Sequence, residues 1–354
     1  MATRALAIYA GAEAAARIAK NGWTPALFSL LLGASGGPKW LILSQLDRVL
    51  FGDFLQRSNH SFSVIGSSIG SWRHACLTLD DPVAALDRFE THYLNQHYAS
   101  KPTPAQVSQT SLDILQQLLG KNGTSQLLNH PRISSHIVTA RGRGPAASRS
   151  PGVMATAMGA AALGNSVSRR LLKLSFQRVV FHTGPRPTPQ MSLHDFDSCF
   201  VTLDADNVAP ALHASGSIPF VLTGERDIAH APPGQYWDGG IIDYHFDLAQ
   251  FYGEGLMLYP HFSASVTPGW FDKLLPWRRT TLQAIDKLVL LCPSQDFIAG
   301  LPHGKIPDRS DFSRFDFDQR SRYWRTCVER SKALADEFSE LIAQDDPLQG
   351  VTLL

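Results

Sequence analysis

Short apolar runs alternate with stretches of helical periodicity along most of the chain, and glycines stand at several of the junctions. Residues 26–32 (ALFSLLL) form such a run, which is typical of a strand buried on both faces. The helical pattern that follows places Leu43, Leu46 and Leu50 on one face and ends near Gly52. Strands that alternate with helices predict an α/β fold, a three-layer sandwich whose mainly parallel central sheet is covered by helices on both faces.

The same criteria predict the remaining elements. Further strands are predicted at residues 62–65, 134–140, 178–182, 199–203, 235–237, 255–259 and 287–291. One helix is predicted to begin near Pro82 and a second to end at Gly120. A third is predicted at 207–215, and one long polar helix is predicted at 314–343. The N-terminus predicts an amphipathic helix that ends at Gly22 and carries on one face Ile8, Ala12, Ala15 and Ile18. A signal peptide is the alternative there, but Glu13 interrupts its small-residue stretch.

Length and composition are those of a globular protein. The chain has 354 residues, of which 44% are apolar and 18% are charged, so it can bury a sizeable core. We expect a single domain over 1–354, with a motif-bearing part at about 26–245 and a C-terminal strand and helix region at about 255–354. No apolar run approaches the length of about 18 residues that a transmembrane helix needs. The four cysteines are far apart, which argues against a zinc or dithiol site and favours a reduced compartment, the cytoplasm.

Charge is balanced overall but unevenly distributed. Lys and Arg number 32 and Asp and Glu 31, and the resulting net charge of +1 disfavours general nucleic-acid binding. Residues 114–194 contain no acid, however, and hold Lys121, Arg132, Arg141, Arg143, Arg149, Arg169, Arg170, Lys173, Arg178 and Arg186. These cations either pair with acids elsewhere in the fold or form a face for anionic lipid headgroups or an anionic substrate.

The sequence Gly66-Ser67-Ser68-Ile69-Gly70 matches the G-x-S-x-G pattern of a nucleophilic serine. The predicted strand 62–65 precedes it and a helical pattern follows, so Ser68 is expected on a sharp strand-to-helix turn. The start of that helix would direct N–H groups towards the reacting oxygen. The pattern alone is weak evidence, because chains of this composition contain it by chance.

A glycine-rich loop, residues 33–39 (GASGGPK), also lies between a predicted strand and a helix. Paired glycines leave backbone N–H groups free to bind an oxyanion or a phosphate. A nucleotide-binding loop is the alternative, but the Walker spacing is absent because Pro38 separates Gly37 from Lys39.

An aspartate followed by two glycines, Asp238-Gly239-Gly240, comes after the predicted strand 235–237. Small residues there let another loop approach closely, so Asp238 is a candidate general base for Ser68. Asp-Gly is also a frequent turn pair, and a plain β-turn is the alternative.

In this order the three motifs resemble those of the patatin-like phospholipase family. The resemblance rests on residues 36–39, 66–70 and 238–240, with the small-residue segment 214–220 (ASGSIPF) as a further match, and it spans about 26–245. It implies a patatin-like fold. It also implies hydrolysis of acyl esters of phospholipids or neutral lipids, with no metal or other cofactor.

The resemblance also implies roles for individual residues. Ser68 would attack the ester carbonyl, and Asp238 would accept its proton as the second member of a Ser-Asp dyad. The N–H groups of Gly36 and Gly37, with Ile69 as a further contributor, would form the oxyanion hole. The supporting positions would be Lys39, Gly66, Gly70, Gly239 and Gly240. Trp40 and residues 241–247 (IIDYHFD) depart from the family's pattern.

A Ser-His-Asp triad is the alternative to the dyad. A free aspartate has a pKa of about 3.9 and is a weak base at neutral pH. His245, His261 and His303 follow Asp238, which matches the chain order of α/β-hydrolases. Ser68 follows only the second readable strand, earlier than the elbow of that fold, so we favour the dyad.

Aromatic residues and cations lie side by side at residues 268–279 (PGWFDKLLPWRR). The residue types that suit a bilayer interface are Trp270, Phe271, Trp277, Arg278 and Arg279. The segment therefore predicts reversible contact with a membrane surface, and a loop packed on its own domain is the alternative.

Three functions remain open on the sequence alone. We favour a patatin-type serine hydrolase of lipid acyl esters, because the serine, the glycine loop and the aspartate are all present. The alternatives are a non-catalytic lipid-binding protein of the same fold and a hydrolase of thioesters or polyesters.

Overall fold

A single sheet with a parallel centre runs through residues 4–184 and 191–354, the part of the chain that this computed structural model describes. Its strands are β1 (Leu6–Ala10), β2 (Phe28–Gly33), β3 (Phe62–Ser67), β4 (Ile133–Gly142), β5 (Phe176–His182), β6 (Ser198–Thr202), β7 (Glu225–Arg226), β8 (Gln235–Asp238), β9 (Leu256–Pro260), β10 (Leu288–Pro293) and β11 (Val351–Leu353). The main order is β11-β1-β10-β9-β2-β3-β4-β5-β6, and every pair from β10 to β4 is parallel. The pairs β1–β10, β4–β5, β4–β8 and β7–β8 are antiparallel.

Helices flank this sheet. They are α1 (Ala12–Asn21), α2 (Ser44–Gly52), α3 (Ile69–Leu77), α4 (Pro82–Leu94), α5 (Pro104–Leu119), α6 (Gly123–Leu128), α7 (Pro151–Val167), α8 (Val208–Ser215), α9 (Gln295–Gly300), α10 (Asp311–Arg314), α11 (Phe317–Arg330) and α12 (Lys332–Leu341). The predicted fold class, an α/β sandwich around a mostly parallel sheet, is confirmed. No helix within the described ranges is long and apolar enough to cross a bilayer.

The central strands β2 and β3 are buried at every residue except Ser29. Leu31 and Leu32 in β2 and Val64 and Ile65 in β3 are at most 2% exposed. Side chains on both faces of these strands are covered, which is why the sequence shows continuous apolar runs there rather than alternation. The predicted strands at 26–32 and 62–65 are therefore confirmed, with shifts of one or two residues at their ends.

The N-terminus is a strand followed by a helix, so the single amphipathic helix predicted there is wrong in its first part. Ile8 lies in β1, which pairs with β10 on one side and β11 on the other. Ala15 and Ile18 do lie on the buried face of α1, and Gly22 ends that helix as predicted. Partners some 280 residues away draw residues 6–10 into the sheet, and local periodicity does not reveal such pairings.

The long C-terminal helix predicted at 314–343 is divided into shorter ones. α10 ends at Arg314, and Asp316 accepts a hydrogen bond from the Gln319 N–H and starts α11. Ser331 separates α11 from α12, and its hydroxyl donates to the Val328 carbonyl. α12 packs against α2 and β1.

Both parts of the chain contribute to the sheet. β9 and β10 follow the motif-bearing part, yet β9 pairs with β2 and β10 pairs with β1. A single domain over 1–354 stays our prediction.

Candidate active site

Ser68 lies at the junction of a strand and a helix. β3 ends at Ser67 and α3 begins at Ile69, so Ser68 alone connects the two elements. Its backbone has φ 55° and ψ −129°, a conformation that is costly for any residue with a side chain. This is the sharp, strained turn that the G-x-S-x-G pattern indicates.

Glycines bring this turn against the loop that follows β2. Gly33 and Gly66 are partners in the register of β2 and β3. A Cβ atom on Gly70 would lie 2.0 Å from the carbonyl oxygen of Gly33, which is far too short for a non-bonded contact. The Oγ atoms of Ser35 and Ser67 are joined by a hydrogen bond of 3.0 Å. The glycine loop and the serine turn are therefore packed together.

Two strands meet end to end along one edge of β4. β3 runs parallel to β4, and its last residue, Ser67, pairs with Val138. β8 runs antiparallel to β4, and its last residue, Asp238, pairs with Thr139. The carboxyl ends of β3 and β8 therefore face each other, and this brings Ser68 next to Asp238 although 170 positions separate them in the sequence.

The side chains of Ser68 and Asp238 are joined by a hydrogen bond. Ser68 Oγ donates to Asp238 Oδ2 over 2.7 Å, and the other carboxylate oxygen accepts the Gly240 N–H at 2.7 Å. The Asp238 N–H donates to the Ser217 carbonyl at 2.8 Å. Gly239 lies so close to β4 that a Cβ there would come within 2.2 Å of a backbone oxygen. The carboxylate is thus held with one oxygen facing the serine.

Burial changes the acid–base behaviour of Asp238. The residue is 5% exposed, and desolvation, the largest effect, raises the pKa of its carboxyl group above the usual value. The Arg309 guanidinium, whose Nη2 lies 4.0 Å from Oδ2, and the hydrogen bonds from Ser68 and Gly240 oppose that rise without cancelling it. A raised pKa makes this carboxylate a better proton acceptor than a free aspartate.

Three backbone N–H groups of the two glycine motifs have no acceptor among the described residues. Gly36 precedes the 3₁₀ helix Gly37–Leu43, Gly37 begins it, and Ile69 begins α3, so none has an intrahelical partner. The Ser68 N–H instead donates to Ser215 Oγ over 2.9 Å. The N–H groups of Gly36, Gly37 and Ile69 are therefore not engaged within the described part of the fold, whereas that of Ser68 is.

Ser215, at the end of α8, connects the serine turn to the sheet. Its hydroxyl donates to the Val138 carbonyl at 2.6 Å and accepts the Ser68 N–H, and it also lies 3.0 Å from Ser71 Oγ. Sequence analysis gave the segment 214–220 no role. Its small residues are the signal, because α8 can reach the turn only where side chains are short.

A cavity of about 540 Å³ opens beside Asp238. Its apolar lining consists of Met158, Ile218, Phe220, Val221, Ile241 and Trp270. The polar and charged lining includes Ser35, Lys39, Asp238, Tyr244, Lys273 and Arg309, together with the backbone of Gly36. A cavity of this size and lining suits a small organic ligand that carries both apolar and polar groups.

Among the described residues, no histidine contacts the side chains of Ser68 and Asp238. His245 Nδ1 accepts the Thr267 N–H at 3.1 Å, and His261 Nδ1 contacts the Ser263 carbonyl. Burial lowers the pKa of both imidazoles, that of His261 to about 3. His303 stacks on aromatic rings. The described residues include no group of three or more side chains suited to hold a metal ion.

Lys39 and two residues of the aromatic segment 268–279, Trp270 and Lys273, line the cavity. Lys39 Nζ lies 4.8 Å from the centroid of the Phe262 ring, and burial lowers the pKa of its ammonium group. Trp270 lines the cavity and is 41% exposed, whereas Phe271 is half-buried against the core. Trp277 is 71% exposed.

The two arginines of this segment are attached to the fold. Arg278 donates to the carbonyls of Asn165 and Val167 at the end of α7, and Arg279 donates to Ser265 Oγ.

The acid-free interval 114–194 is partly neutralised within the fold. Arg143, Arg169 and Arg178 form ion pairs with acids that follow the interval: Asp195, Asp197, Asp243 and Asp272. Arg170 and Lys173 are exposed. Arg186 lies outside the described residues.

Two cationic residues of the cavity were missed by the sequence analysis. Lys273 and Arg309 both follow the motif-bearing part of the chain. Arg309 belongs to no motif, and Lys273 lies in the segment 268–279, which predicted membrane contact and not a place in a cavity. Only the folding of 255–354 onto the glycine loop brings both residues here.

Comparisons with known proteins add little to this geometry. No family model matches the sequence, and no curated protein matches it. Among solved structures, the chain is similar to a chain of the heterodimeric complex ExoU-SpcU from the type III secretion system of Pseudomonas aeruginosa, with 14% identity and a TM-score of 0.31. The match covers 92% of this chain and 57% of that one, so this chain spans little more than half the length of that protein. A likeness so distant carries no inference about chemistry.

Proposed function

We propose that the protein is a serine hydrolase of lipid acyl esters, with Ser68 as nucleophile and Asp238 as general base. The observation that carries the proposal is the 2.7 Å hydrogen bond from Ser68 Oγ to Asp238 Oδ2 at the end of a strained strand-to-helix turn. A nucleophile within hydrogen-bonding distance of an oriented base is the arrangement that covalent acyl transfer requires. The motifs at 33–39, 66–70 and 238–240 also resemble those of the patatin-like phospholipase family.

The reaction follows from these contacts. Ser68 Oγ attacks the ester carbonyl carbon while its proton passes to Asp238 Oδ2, and the carbonyl oxygen becomes an oxyanion. The N–H groups of Gly36 and Gly37, with that of Ile69, are the donors available to stabilise that charge. The proton then leaves with the alcohol as the C–O bond breaks. Water deacylates Ser68 through the same carboxylate.

The apolar residues that line the cavity support an acyl chain as the part of the substrate bound against them. Ile218, Phe220, Val221 and Trp270 provide apolar surface that would exclude water from an alkyl group. Lipid acyl esters are therefore the preferred substrates over small polar esters. Thioesters and polyesters carry the same carbonyl chemistry and are the second candidate.

Contact with a membrane surface is part of this proposal. Exposed apolar residues surround the C-terminal end of α7 and the segment 268–279. We call these the apolar rim: Leu163 (74% exposed), Val167 (77%), Leu174 (69%), Leu274 (89%) and Trp277 (71%). α7 has no charged residue from 151 to 167, and Arg170, Lys173 and Arg279, which are exposed, lie close in sequence to residues of the rim. Large apolar side chains beside cations suit an anionic bilayer interface.

Hydrolysis of 4-nitrophenyl esters of graded chain length tests the proposed reaction. Wild type should prefer longer chains, and Ser68→Ala and Asp238→Asn should each lose at least about a thousandfold in kcat/KM. The matched controls Ser313→Ala and Asp318→Asn, both at exposed positions of the C-terminal helices, should keep full activity. A fluorophosphonate should label wild type at Ser68.

Each other outcome points to one alternative. Ester hydrolysis that survives Ser68→Ala contradicts the proposal, and a folded wild type that binds lipid without labelling or turnover is a lipid-binding protein. A triad would require loss of activity in His245→Gln, measured per folded molecule, whereas the dyad does not.

A further inference from the structure

The turn that follows Asp238 is attached to β5 through an arginine. We call residues 239–243 the base turn, which is closed by a 2.9 Å hydrogen bond from the Asp243 N–H to the Gly239 carbonyl. The Asp243 carboxylate accepts two hydrogen bonds of 2.7 Å from Arg178 in β5, one from Nε and one from Nη2. Both residues are at most 1% exposed. A bidentate contact of this kind fixes the orientation of the side chains that form it.

A second arginine, Arg169, joins the base turn to another segment of the chain. Its Nη2 donates to the Ile242 carbonyl over 2.5 Å and lies 3.6 Å from Asp243 Oδ1. Its Nε lies 3.5 Å from Oδ2 of Asp272, a buried residue of the 3₁₀ helix Trp270–Leu274. One guanidinium therefore contacts both the base turn and this helix.

The two segments that this guanidinium joins both line the cavity. The base turn supplies Gly240 and Ile241. The 3₁₀ helix supplies Trp270 and Lys273. Gly240 also donates its N–H to Asp238 Oδ1 over 2.7 Å, so the base turn holds the proposed general base as well. A shift of the base turn would therefore move part of the cavity wall and disturb a hydrogen bond of the carboxylate.

Asp195 completes the network by pairing with both arginines. Its Oδ1 accepts from Arg178 Nη1 at 2.7 Å, and its Oδ2 accepts from Arg169 Nη1 at 2.9 Å. Both arginines belong to the acid-free interval 114–194, and their acidic partners all follow it. Paired charges at low exposure rigidify the groups around them. Part of the uneven charge of the sequence is thus used next to the candidate active site.

We infer that Arg169 and Arg178 are positioning residues of the proposed hydrolase, which fix the base turn and through it the Asp238 carboxylate. The inference rests on the proposed function. Neither arginine is among the described residues that line the cavity, so both act through the base turn and not on the substrate. The placement of a general base matters because a displacement of about 1 Å can lower a rate about a hundredfold.

Asp243→Asn tests the inference because its two effects on Asp238 have opposite signs. Burial, the largest effect, raises the pKa of the Asp238 carboxyl group, and four groups oppose it: Arg309, Ser68, Gly240 and Lys273. Loss of the negative charge of Asp243 would by itself lower that pKa. A base turn released from Arg178 would weaken the Gly240 hydrogen bond and raise it.

The acidic limb of kcat/KM for an uncharged 4-nitrophenyl ester should therefore move to higher pH in Asp243→Asn. At pH 7, kcat/KM per folded molecule should fall about tenfold or more. Arg169→Lys keeps the positive charge but loses the planar group that reaches both segments, and it should slow fluorophosphonate labelling of Ser68 about tenfold. This second variant decides the question should Asp243→Asn fail to fold.

Glu337→Gln is the matched control. Glu337 lies in α12, and its carboxylate oxygens accept the N–H groups of Ala5 and Leu6 at 2.7 and 2.8 Å. The change removes a carboxylate that holds backbone elsewhere in the fold. It should lower Tm and leave the pH profile and the labelling rate per folded molecule unchanged.

The outcomes that contradict the inference are distinct from those that contradict the proposed function. An acidic limb that stays in place in Asp243→Asn, or labelling that is unchanged in Arg169→Lys, leaves the arginines with a role in stability alone. A limb that moves to lower pH shows that Asp243 acts on Asp238 through its charge and not through the base turn. In each case the hydrolase stands. A wild type with neither ester hydrolysis nor labelling at Ser68 instead defeats the hydrolase itself.

Discussion

Arg309 Nη2 lies 4.0 Å from Asp238 Oδ2, the same oxygen that accepts the hydrogen bond from Ser68. The guanidinium lowers the pKa of the carboxyl group while burial raises it, and burial is the larger effect. Arg309 therefore helps to keep a buried carboxylate ionised, which a general base requires. It comes from the C-terminal third of the chain, far from every motif.

Replacing Arg309 with Gln should move the acidic limb of the pH profile. A base works only when deprotonated, so activity falls as pH drops through the pKa of Asp238, which is already above its usual value. Loss of the guanidinium raises that pKa further, and the acidic limb of kcat/KM for an uncharged 4-nitrophenyl ester should shift to higher pH. The control is Arg314→Gln, a change at an exposed arginine in α10. A shift to lower pH, or none, would show that Arg309 does not tune Asp238.

Local patterns predicted much of the fold and the centre of the site. The strands at 26–32 and 62–65 were readable because both faces of β2 and β3 are buried. Ser68 could be identified from the G-x-S-x-G pattern. That pattern needs glycine at position 70, because the serine turn packs so closely on Gly33 that no side chain fits there. These features depend on residues that are neighbours in sequence or on sterics that only glycine satisfies.

The rest of the site depends on pairings between distant segments. The sequence of β1 fits the start of an amphipathic helix, and its pairing with β10 and β11 makes it a strand. Lys273 and Arg309 become part of the site only after 255–354 has folded over the glycine loop. No local signal distinguishes Arg309 from other basic residues, and the aromatic segment that contains Lys273 indicates membrane contact but no cavity.

A buried ion pair holds the helix that begins at the serine turn. Arg73 in α3 donates two hydrogen bonds of 2.6 Å to Asp47 in α2, and both residues are at most 1% exposed. Asp47→Ala leaves an uncompensated buried charge and should lower the free energy of unfolding by about 3–5 kcal/mol, measured by urea denaturation. The double variant Asp47→Leu/Arg73→Met should recover most of that loss, because two apolar side chains of similar volume need no partner. A single variant as stable as wild type would show that the pair is not buried in solution.

Adding one methyl group at Gly70 should damage the site. The new Cβ would lie 2.0 Å from the Gly33 carbonyl oxygen, which is backbone and cannot rotate away. Gly70→Ala should therefore separate the glycine loop from the serine turn, lower Tm and slow fluorophosphonate labelling of Ser68 at a temperature where the variant is still folded. Gly159→Ala is the matched control, because Gly159 lies in α7 and a methyl group added there would have nothing within 4 Å beyond its own helix. That change should leave labelling intact and stabilise the helix by about 0.5–1 kcal/mol.

Membrane contact should depend on the apolar rim and on charge together. Leu274 and Trp277 are 89% and 71% exposed, and each would bury apolar surface worth about 1.5–3 kcal/mol in a bilayer interface. Leu274→Asp and Trp277→Ser should each reduce co-sedimentation with vesicles of anionic lipid by about tenfold or more. Leu353→Asp changes an apolar residue that is 64% exposed in β11, outside the rim, and should have no effect.

High salt should weaken binding of the wild type, because screening removes the attraction of Arg170, Lys173 and Arg279 to the headgroups. Binding that ignores salt and anionic lipid would refute the electrostatic part, and binding that both rim variants retain would leave these residues without a role at the membrane.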